Sequence, residues 1–376
     1  MADSLRKVLI VGGGIGGLSA AIAVRRAGLD VDLVEINQTA KVYHVGIIVQ
    51  GNFIRAMAAL GIADEAVAVG YPQSGLELRN LQGAVLADVP GVKLAGDRYP
   101  SDLGMARPAL HKVLTDAAVA RGANLRFGIT FERIEQSSDR VDVTFTDGTR
   151  GRYDIVIGAD GLHSRVRSTF FGSAHVPKFT GQGVWRYNVP RPAAITRMFM
   201  CSGLEGGKCG FVPLTQQTGY MLLVQSEPGN PHHPPETLAE IFRGRLASCG
   251  GIVAELRDQI TDSSQVVYRP LQTVFVPAPW HNGRVLLIGD AAHSTTPHLG
   301  QGAAQAVEDA VVLGELLGDL QPYDAVFTTF MRRRYDRCKF ICESSEQIGK
   351  WEQTPVPDAN PMALVLKMLE AVALPI

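Results

Sequence analysis

A two-part α/β fold is what this sequence predicts: an α/β domain interrupted by a mainly antiparallel β-sheet domain, with helices closing the chain. Three observations carry the prediction. Lys7–Val11, a glycine turn, Leu18–Ala27 and Val31–Glu35 read as strand, turn, helix and strand within about 30 residues, the βαβ unit. Between Leu125 and Ile157, and mostly over 179–275, the pattern changes to short strands. After Arg284 a buried-type strand and long helical patterns return.

Taken in order, the first helix ends at Gly28, where a glycine suits a helix C-terminus. A second helix is expected over Asn52–Leu60, closed by Gly61, and another over Pro108–Arg121, closed by Gly122. Asp147-Gly148 lies between alternating residues and marks a hairpin. In the middle part, Tyr220 opens the strand YMLLVQ, and one helix falls near Pro235–Ala247. The Pro- and His-rich stretch Pro228–Pro235 reads as a surface loop. Arg284–Ile288 is a last buried strand and Ala303–Leu317 a long helix. The expected division gives residues 1–70, 100–178 and 276–345 to a discontinuous first domain. Residues 71–99 and 179–275 form the inserted domain, and 346–376 a C-terminal helical segment.

The 376 residues, 46% hydrophobic and 19% charged, exceed a single domain of roughly 100–200 residues. A net charge of −1 argues against nucleic acid or an anionic membrane as partner, since both attract clustered basic charge. No apolar run approaches the ~18 residues of a membrane span. The polar start Met1–Arg6 lacks the apolar run of a secretory signal, so a cytoplasmic location is expected. Five cysteines, an odd number, argue against a disulfide framework. None pairs with histidines at metal-type spacing, and no metal is expected.

Gly12, Gly14 and Gly17 form G-x-G-x-x-G between the first strand and helix, which makes the unit Rossmann-like. The first glycine permits the turn, the second lets the backbone approach a pyrophosphate, and the third lets helix and strand pack closely. Phosphate then meets the free N–H groups of the helix start, so Gly12, Gly14, Ile15, Gly16 and Gly17 are candidate cofactor contacts. Glu35, 18 positions after Gly17, ends the next strand, placed to accept ribose hydroxyls. These features point to an adenine dinucleotide without choosing FAD over NAD.

Two later segments make that choice. Asp154–Arg167, DIVIGADGLHSRVR, resembles the DG motif of flavin-dependent aromatic hydroxylases. Arg284–Ala310, RVLLIGDAAHSTTPHLGQGAAQAVEDA, resembles their GD motif, and the three signatures follow in the family's order across nearly the whole chain. The resemblance implies a bound FAD, with NADH or NADPH as a transient co-substrate. No second G-x-G-x-x-G follows a strand, which fits a nicotinamide partner without its own domain. Asp290 is then placed for a ribityl hydroxyl, or else caps the following helix. Pro297 fixes the loop, and Gly300, Gln301, Gly302 and Ala303 lie at the next helix start, where N–H groups meet the flavin's pyrimidine edge. Asp160 makes the DG turn, while Ser164 and Arg167 start a helix. Arg167 is read equally as a cofactor-side residue and as an ion-pair partner. MARPALHKVL resembles the family's Arg-x-x-Leu helix start, so Arg107 is expected to neutralise the FAD pyrophosphate.

The chemistry implied is hydroxylation of a small aromatic or heteroaromatic ring by O2 through a flavin C4a-hydroperoxide. The alternative is an FAD-binding reductase or dehydrogenase that does not activate O2. A proton acceptor or relay is expected beside the ring. Tyr220 matches a tyrosine of urate and hydroxynicotinate hydroxylases that faces the substrate, against the plainer reading of a half-buried strand aromatic. Lys208 falls where the urate enzymes carry arginine, and His298 is a candidate pocket residue. His293 is read as loop packing. His44 precedes VGIIVQGN, which resembles a glycine-containing stretch near the isoalloxazine. Trp185 and Arg186 match a strand read as structural. A monomer or homodimer is expected.

Overall fold

In the computed structural model, which describes residues 6–39, 42–319 and 322–376, the apolar runs near both ends of the chain converge on one sheet. Its order is His281–Asn282, Val285–Leu287, Ile155–Gly158, Lys7–Val11, Asp30–Glu35 and Asn124–Phe127, and all pairings except the first are parallel. Such strands are covered on both faces, which is why Val8–Val11 and Val285–Leu287 read as unbroken apolar runs. Helices Ile15–Arg26 and Gly302–Gly318 pack together on it. They approach so closely that a Cβ on Gly314 would lie 2.7 Å from that of Ala23.

The Asp147-Gly148 hairpin forms, within a separate three-stranded sheet of Phe131–Gln136, Val141–Phe145 and Arg150–Tyr153. The strands flanking it, Asn124–Phe127 and Ile155–Gly158, join the parallel sheet instead. Ile155–Gly158 is continuously apolar and fully buried, so it belongs inside a covered sheet.

The middle of the chain builds a seven-stranded sheet in the order Val267–Phe275, Lys178–Pro190, Thr218–Ser226, Gly207–Pro213, Met198–Leu204, Leu76–Arg79 and Val85–Val89. One face buries Trp185, Tyr187, Cys209, Phe211, Met221 and Leu223 against helices Leu238–Arg245 and Gly251–Arg257. Sequence pattern missed the second helix, a short segment whose glycine-rich start reads as a loop. A small sheet of Gly46–Gln50, Asp102–Ala106 and Tyr71–Gln73 bridges the two larger ones. No helix is long and apolar enough to cross a membrane among the described residues. Residues 1–5, most of the polar start, lie outside the described residues.

Helix Tyr323–Gln353 is pinned to helix Gly302–Gly318 by one side chain. Arg334, fully buried, donates from Nε to Asp309 Oδ1 (2.8 Å), from Nη1 to Glu308 Oε2 (2.7 Å) and from Nη2 to Gln305 Oε1 (2.7 Å). Asp309 Oδ2 also accepts from His293 (2.7 Å) and from the Gly289 N–H (2.9 Å). Burial works against a charged His293, but the Cys338 sulfur and the Asp309 carboxylate outweigh it and hold the imidazole well above its usual value. One ligand atom each from His293, Asp309 and Cys338 lies within 4.8 Å of the others, a metal-like cluster. The Arg334 guanidinium and the Gly289 N–H already occupy Asp309, and the group works as an ion-pair network. Removing one partner strands the others in a low-dielectric interior. Arg334→Met should therefore destabilise the protein by about 3–5 kcal/mol, read from the denaturant midpoint.

Candidate active site

The glycine turn has the geometry a pyrophosphate needs. Gly12 has φ +112°, and a Cβ there would lie 2.3 Å from Ala159 O. A Cβ on Gly17 would lie 1.9 Å from Gly12 O, so strand and helix touch through backbone alone. A Cβ on Gly14 would meet nothing within 4 Å, leaving open space before a helix whose first N–H groups have no side-chain cap. Ile15 and Gly16, half-buried, form the lip of that opening. Glu35 Oε2 accepts from Gly13 N (2.8 Å) and Oε1 from Asn37 N (3.0 Å), so the carboxylate braces the turn and keeps lone pairs for a ribose. Beyond it runs a groove of about 470 Å³ lined by Gln38, His111 and Phe127 among others. The His111 ring nitrogen Nε2 lies 2.9 Å from Gly13 O. These last three residues escaped the sequence reading, since nothing local marks them.

At the same C-terminal end of the parallel sheet, two strands over, Asp290 follows strand Val285–Leu287. Its carboxylate is open to solvent yet ringed by protein on every side, as expected of a side chain lining an internal cleft. Burial raises its pKa against the pull of His293 and Arg107, and no hydrogen bond holds it among the described residues. Pro297–Leu299 then turns through Gly300 (φ +67°) into helix Gly302–Gly318. That helix also lacks a side-chain cap, so Gly302 and Ala303 offer free N–H groups. Gln301 is buried and accepts from Asn52 Nδ2 (2.9 Å), which also donates to Glu308 (2.9 Å). The open Gly14, two uncapped helix starts and the free Asp290 together fit an FAD. Asp290 would meet its ribityl chain and Gly300–Ala303 the ring's polar edge.

Two expectations for the DG segment change. Asp160 does not keep its carboxylate for a cofactor: it accepts from Ser164 Oγ (2.5 Å), Arg165 N (2.7 Å) and Val166 N (3.0 Å), securing the helix Arg165–Phe170. Its backbone instead packs against Gly12. Arg167 makes no ion pair among the described residues. It donates to the carbonyls of Leu162, His175 and Ala291, a strut between the DG and GD segments.

Strand register fixes which side chains share one face of the seven-stranded sheet. Arg186 lies opposite Leu222, Asn188 opposite Tyr220, and Val184 opposite Val224; Lys208 also pairs with Val224 and Val212 with Tyr220. Arg186, Tyr220 and Lys208 therefore share the face turned away from the Trp185 core. Tyr220 is 4% exposed and packs on the backbone at Gly46, where a Cβ would lie 2.7 Å from its ring. Burial raises its pKa despite Arg186 and Arg107, which favours the neutral phenol over a tyrosinate. Its hydroxyl has no protein hydrogen bond among the described residues. Arg107 starts helix Arg107–Ala120, donates to Gly46 O (3.3 Å), and senses both Tyr220 and Asp290. It joins the two halves of the site.

Lys208 and His298, both expected near the substrate, come together on Glu352. Lys208 lies on the adjacent strand opposite Val224, four residues along from Tyr220 and so roughly 13 Å or more away. It pairs with Glu352 Oε1 at 2.8 Å. Glu352 Oε2 also binds His298 Nε2 (3.1 Å), whose Nδ1 meets Thr296 Oγ1 (2.8 Å), and accepts from Gln182 (3.2 Å). With both nitrogens engaged and its pKa lowered by burial and Lys208, His298 is a structural member of this cluster. His44 likewise serves packing, its Nε2 3.0 Å from Gln265 O. Arg186, read as structural from sequence, stands on the site wall, and Glu352 was missed altogether.

Burial pushes the Glu352 carboxyl up, but Lys208 and His298 outweigh it and bring it from an ordinary 4.5 down to about 2. A depressed carboxylate stabilises the fold above its unfolded value, and this contribution is lost as pH falls through the folded one. Glu352→Gln should remove stability on the order of 3 kcal/mol at neutral pH. It should also flatten the acid-side loss between pH 4.5 and 2, read from chemical unfolding at stepped pH.

Comparison with known proteins agrees with this geometry. Residues 6–325 match the family described as "FAD binding domain". The putative FAD-dependent monooxygenase YetM of Bacillus subtilis is 30% identical over 360 residues, covering 95% of this chain and 96% of that protein. The 2-heptyl-3-hydroxy-4(1H)-quinolone synthase of Pseudomonas aeruginosa is 30% identical over 354 residues, covering 92% and 90%. Klebsiella pneumoniae HpxO, solved with FAD and uric acid, aligns with a TM-score of 0.85 and 26% identity, over 98% of this chain and 92% of that one. The chain belongs to the FAD-binding-domain family and is an FAD-dependent enzyme of the monooxygenase and hydroxylase type.

Proposed function

We propose that this enzyme uses NADH or NADPH and O2 to hydroxylate a small aromatic or heteroaromatic ring. The observation that carries the reading is the meeting of Asp290, on the cofactor side, with Arg107 and the free Tyr220 hydroxyl on the sheet face. Similar proteins are named for quinolone, urate and aminohydroxybenzoate chemistry, all planar and oxygen-bearing. Bound FAD supplies hydride acceptance and oxygen activation; the chain supplies position, dryness and proton management. Leu222 and Val224 give the ring an apolar floor. The neutral Tyr220 donates to an oxygen on that ring and relays its proton, while Arg107 steadies negative charge beside both.

The test is NADH- and NADPH-driven turnover of the yellow holoenzyme with a phenolic and heteroaromatic panel, following O2 uptake and ring-hydroxylated product. Electron transfer to an artificial acceptor without oxygen incorporation would make the chain a reductase or dehydrogenase. Asp290→Ala should lose FAD on gel filtration or reduce it more slowly. Tyr220→Phe should keep FAD and lose turnover by about 10²-fold, with the loss in kcat. Unchanged turnover would make Tyr220 a packing residue.

A further inference from the structure

Most cations on or near the substrate sheet have a partner. Lys208 has Glu352 at 2.8 Å, and Arg245 has Glu227 at 2.9 Å. Arg269 donates to the Tyr43 hydroxyl at 2.6 Å and stacks on its ring at 4.7 Å. Arg107 donates to Gly46 O and has Asp290 in electrostatic reach. Arg186 stands apart: among the described residues it makes no ion pair and no side-chain hydrogen bond.

Its placement is not that of a surface arginine. Trp185 and Tyr187, its neighbours, point into the helix-covered core at 0% and 8% exposure, so alternation turns Arg186 to the opposite face. There it lies across from Leu222, one register pair from Tyr220 and Asn188 on that face, beside the apolar Val184, Val224 and Leu271. Burial, then the like charge of Arg107, brings its guanidinium down to about 10, eased by the phenols of Tyr220 and Tyr43 and by no carboxylate. A deep guanidinium keeps five donors in a planar fork that matches a carboxylate or a pair of ring oxygens. An apolar floor with one unmatched positive charge describes a flat ring that carries a negative one.

We propose that Arg186 is the anchor for an ionised oxygen on the substrate, and that this enzyme selects aromatic rings bearing a carboxylate or a ring-oxygen anion. The inference rests on the hydroxylase reading for its substrate wall, but binding tests it without turnover. Arg107 is within electrostatic reach of both Arg186 and Asp290, so its charge is shared with the cofactor side, whereas Arg186 has no carboxylate acting on it.

The experiment is calorimetric titration of the FAD-loaded protein with two matched pairs. The pairs are para-hydroxybenzoate against para-hydroxybenzamide, and para-nitrophenolate against para-nitroanisole. The wild type should bind at least one anion about 10-fold or more tightly than its neutral partner, through charge-assisted hydrogen bonds. Preference in the first pair identifies a carboxylate as the anchor's ligand, and preference in the second a ring-oxygen anion. Arg186→Met should abolish the preference while the neutral ligands keep their affinity. Arg186→Lys should retain part of it, having charge without the fork. Neither anion preferred by the wild type, or equal weakening of anion and neutral ligand in Arg186→Met, overturns the proposal. If Arg186→Met fails to retain FAD, Arg186→Lys decides: an undiminished anion preference there also overturns it. Anion selectivity without oxygen incorporation would leave the anchor standing and sink the hydroxylase reading instead.

Discussion

Arg334 is the interaction on which the site's frame depends. A guanidinium with no solvent must be matched on several sides, and its partners come from separate parts of the structure. Glu308 and Asp309 belong to the helix that opens at Gly302, and Asp309 in turn grips Gly289 and His293 on either side of Asp290. Through Glu308 the same network reaches Asn52, and through Asn52 it reaches Gln301. The GD loop is thus held from behind by charge while its front presents backbone N–H groups. An apolar core could fill that volume, but it would not fix the direction in which Asp290 and Gly300–Gly302 face.

The substrate side distributes charge differently. At one end of the sheet face Lys208, His298 and Gln182 all converge on Glu352 and tie the helix Tyr323–Gln353 to the sheet. At the other end Arg107 and Arg186 lie close without a full set of counter-charges. Neutralised cations build the scaffold, and unmatched ones define what the scaffold is for.

How much was legible in sequence follows from how far apart the relevant residues lie. The glycines, Glu35 and the GD segment are local: strand, turn and helix carry their own signature, and the geometry forms where it was read. Asp160 was legible as a turn residue but not as a helix brace, because a carboxylate five residues before a helix competes for both roles. Trp185 and Arg186 were read together as one structural strand; alternation alone separates them, and it needs the strand's facing. Glu352 lies far along the chain from Lys208, and no local pattern joins them. Arg334 did leave a trace. Phe327, Phe330, Arg334, Cys338 and Ile341 share one helical stripe, so the arginine sits where an apolar residue is due.

Gly46 and Gly104, on adjacent strands of the small bridging sheet and one same-face register pair apart, press bare backbone against the large one. A Cβ on Gly104 would fall 1.8 Å from Pro213 O, and one on Gly46 would strike Leu214 and Tyr220. The spacing between the small bridging sheet and Tyr220 is consequently set by main-chain thickness. Rotamers cannot tune it, and a single methyl group at either glycine would wedge the sheets apart. Divergence in what this scaffold accepts must therefore be written elsewhere on the face, in residues such as Arg186 and Leu222. The contact between the two sheets at Gly46 and Gly104 stays a fixed gauge.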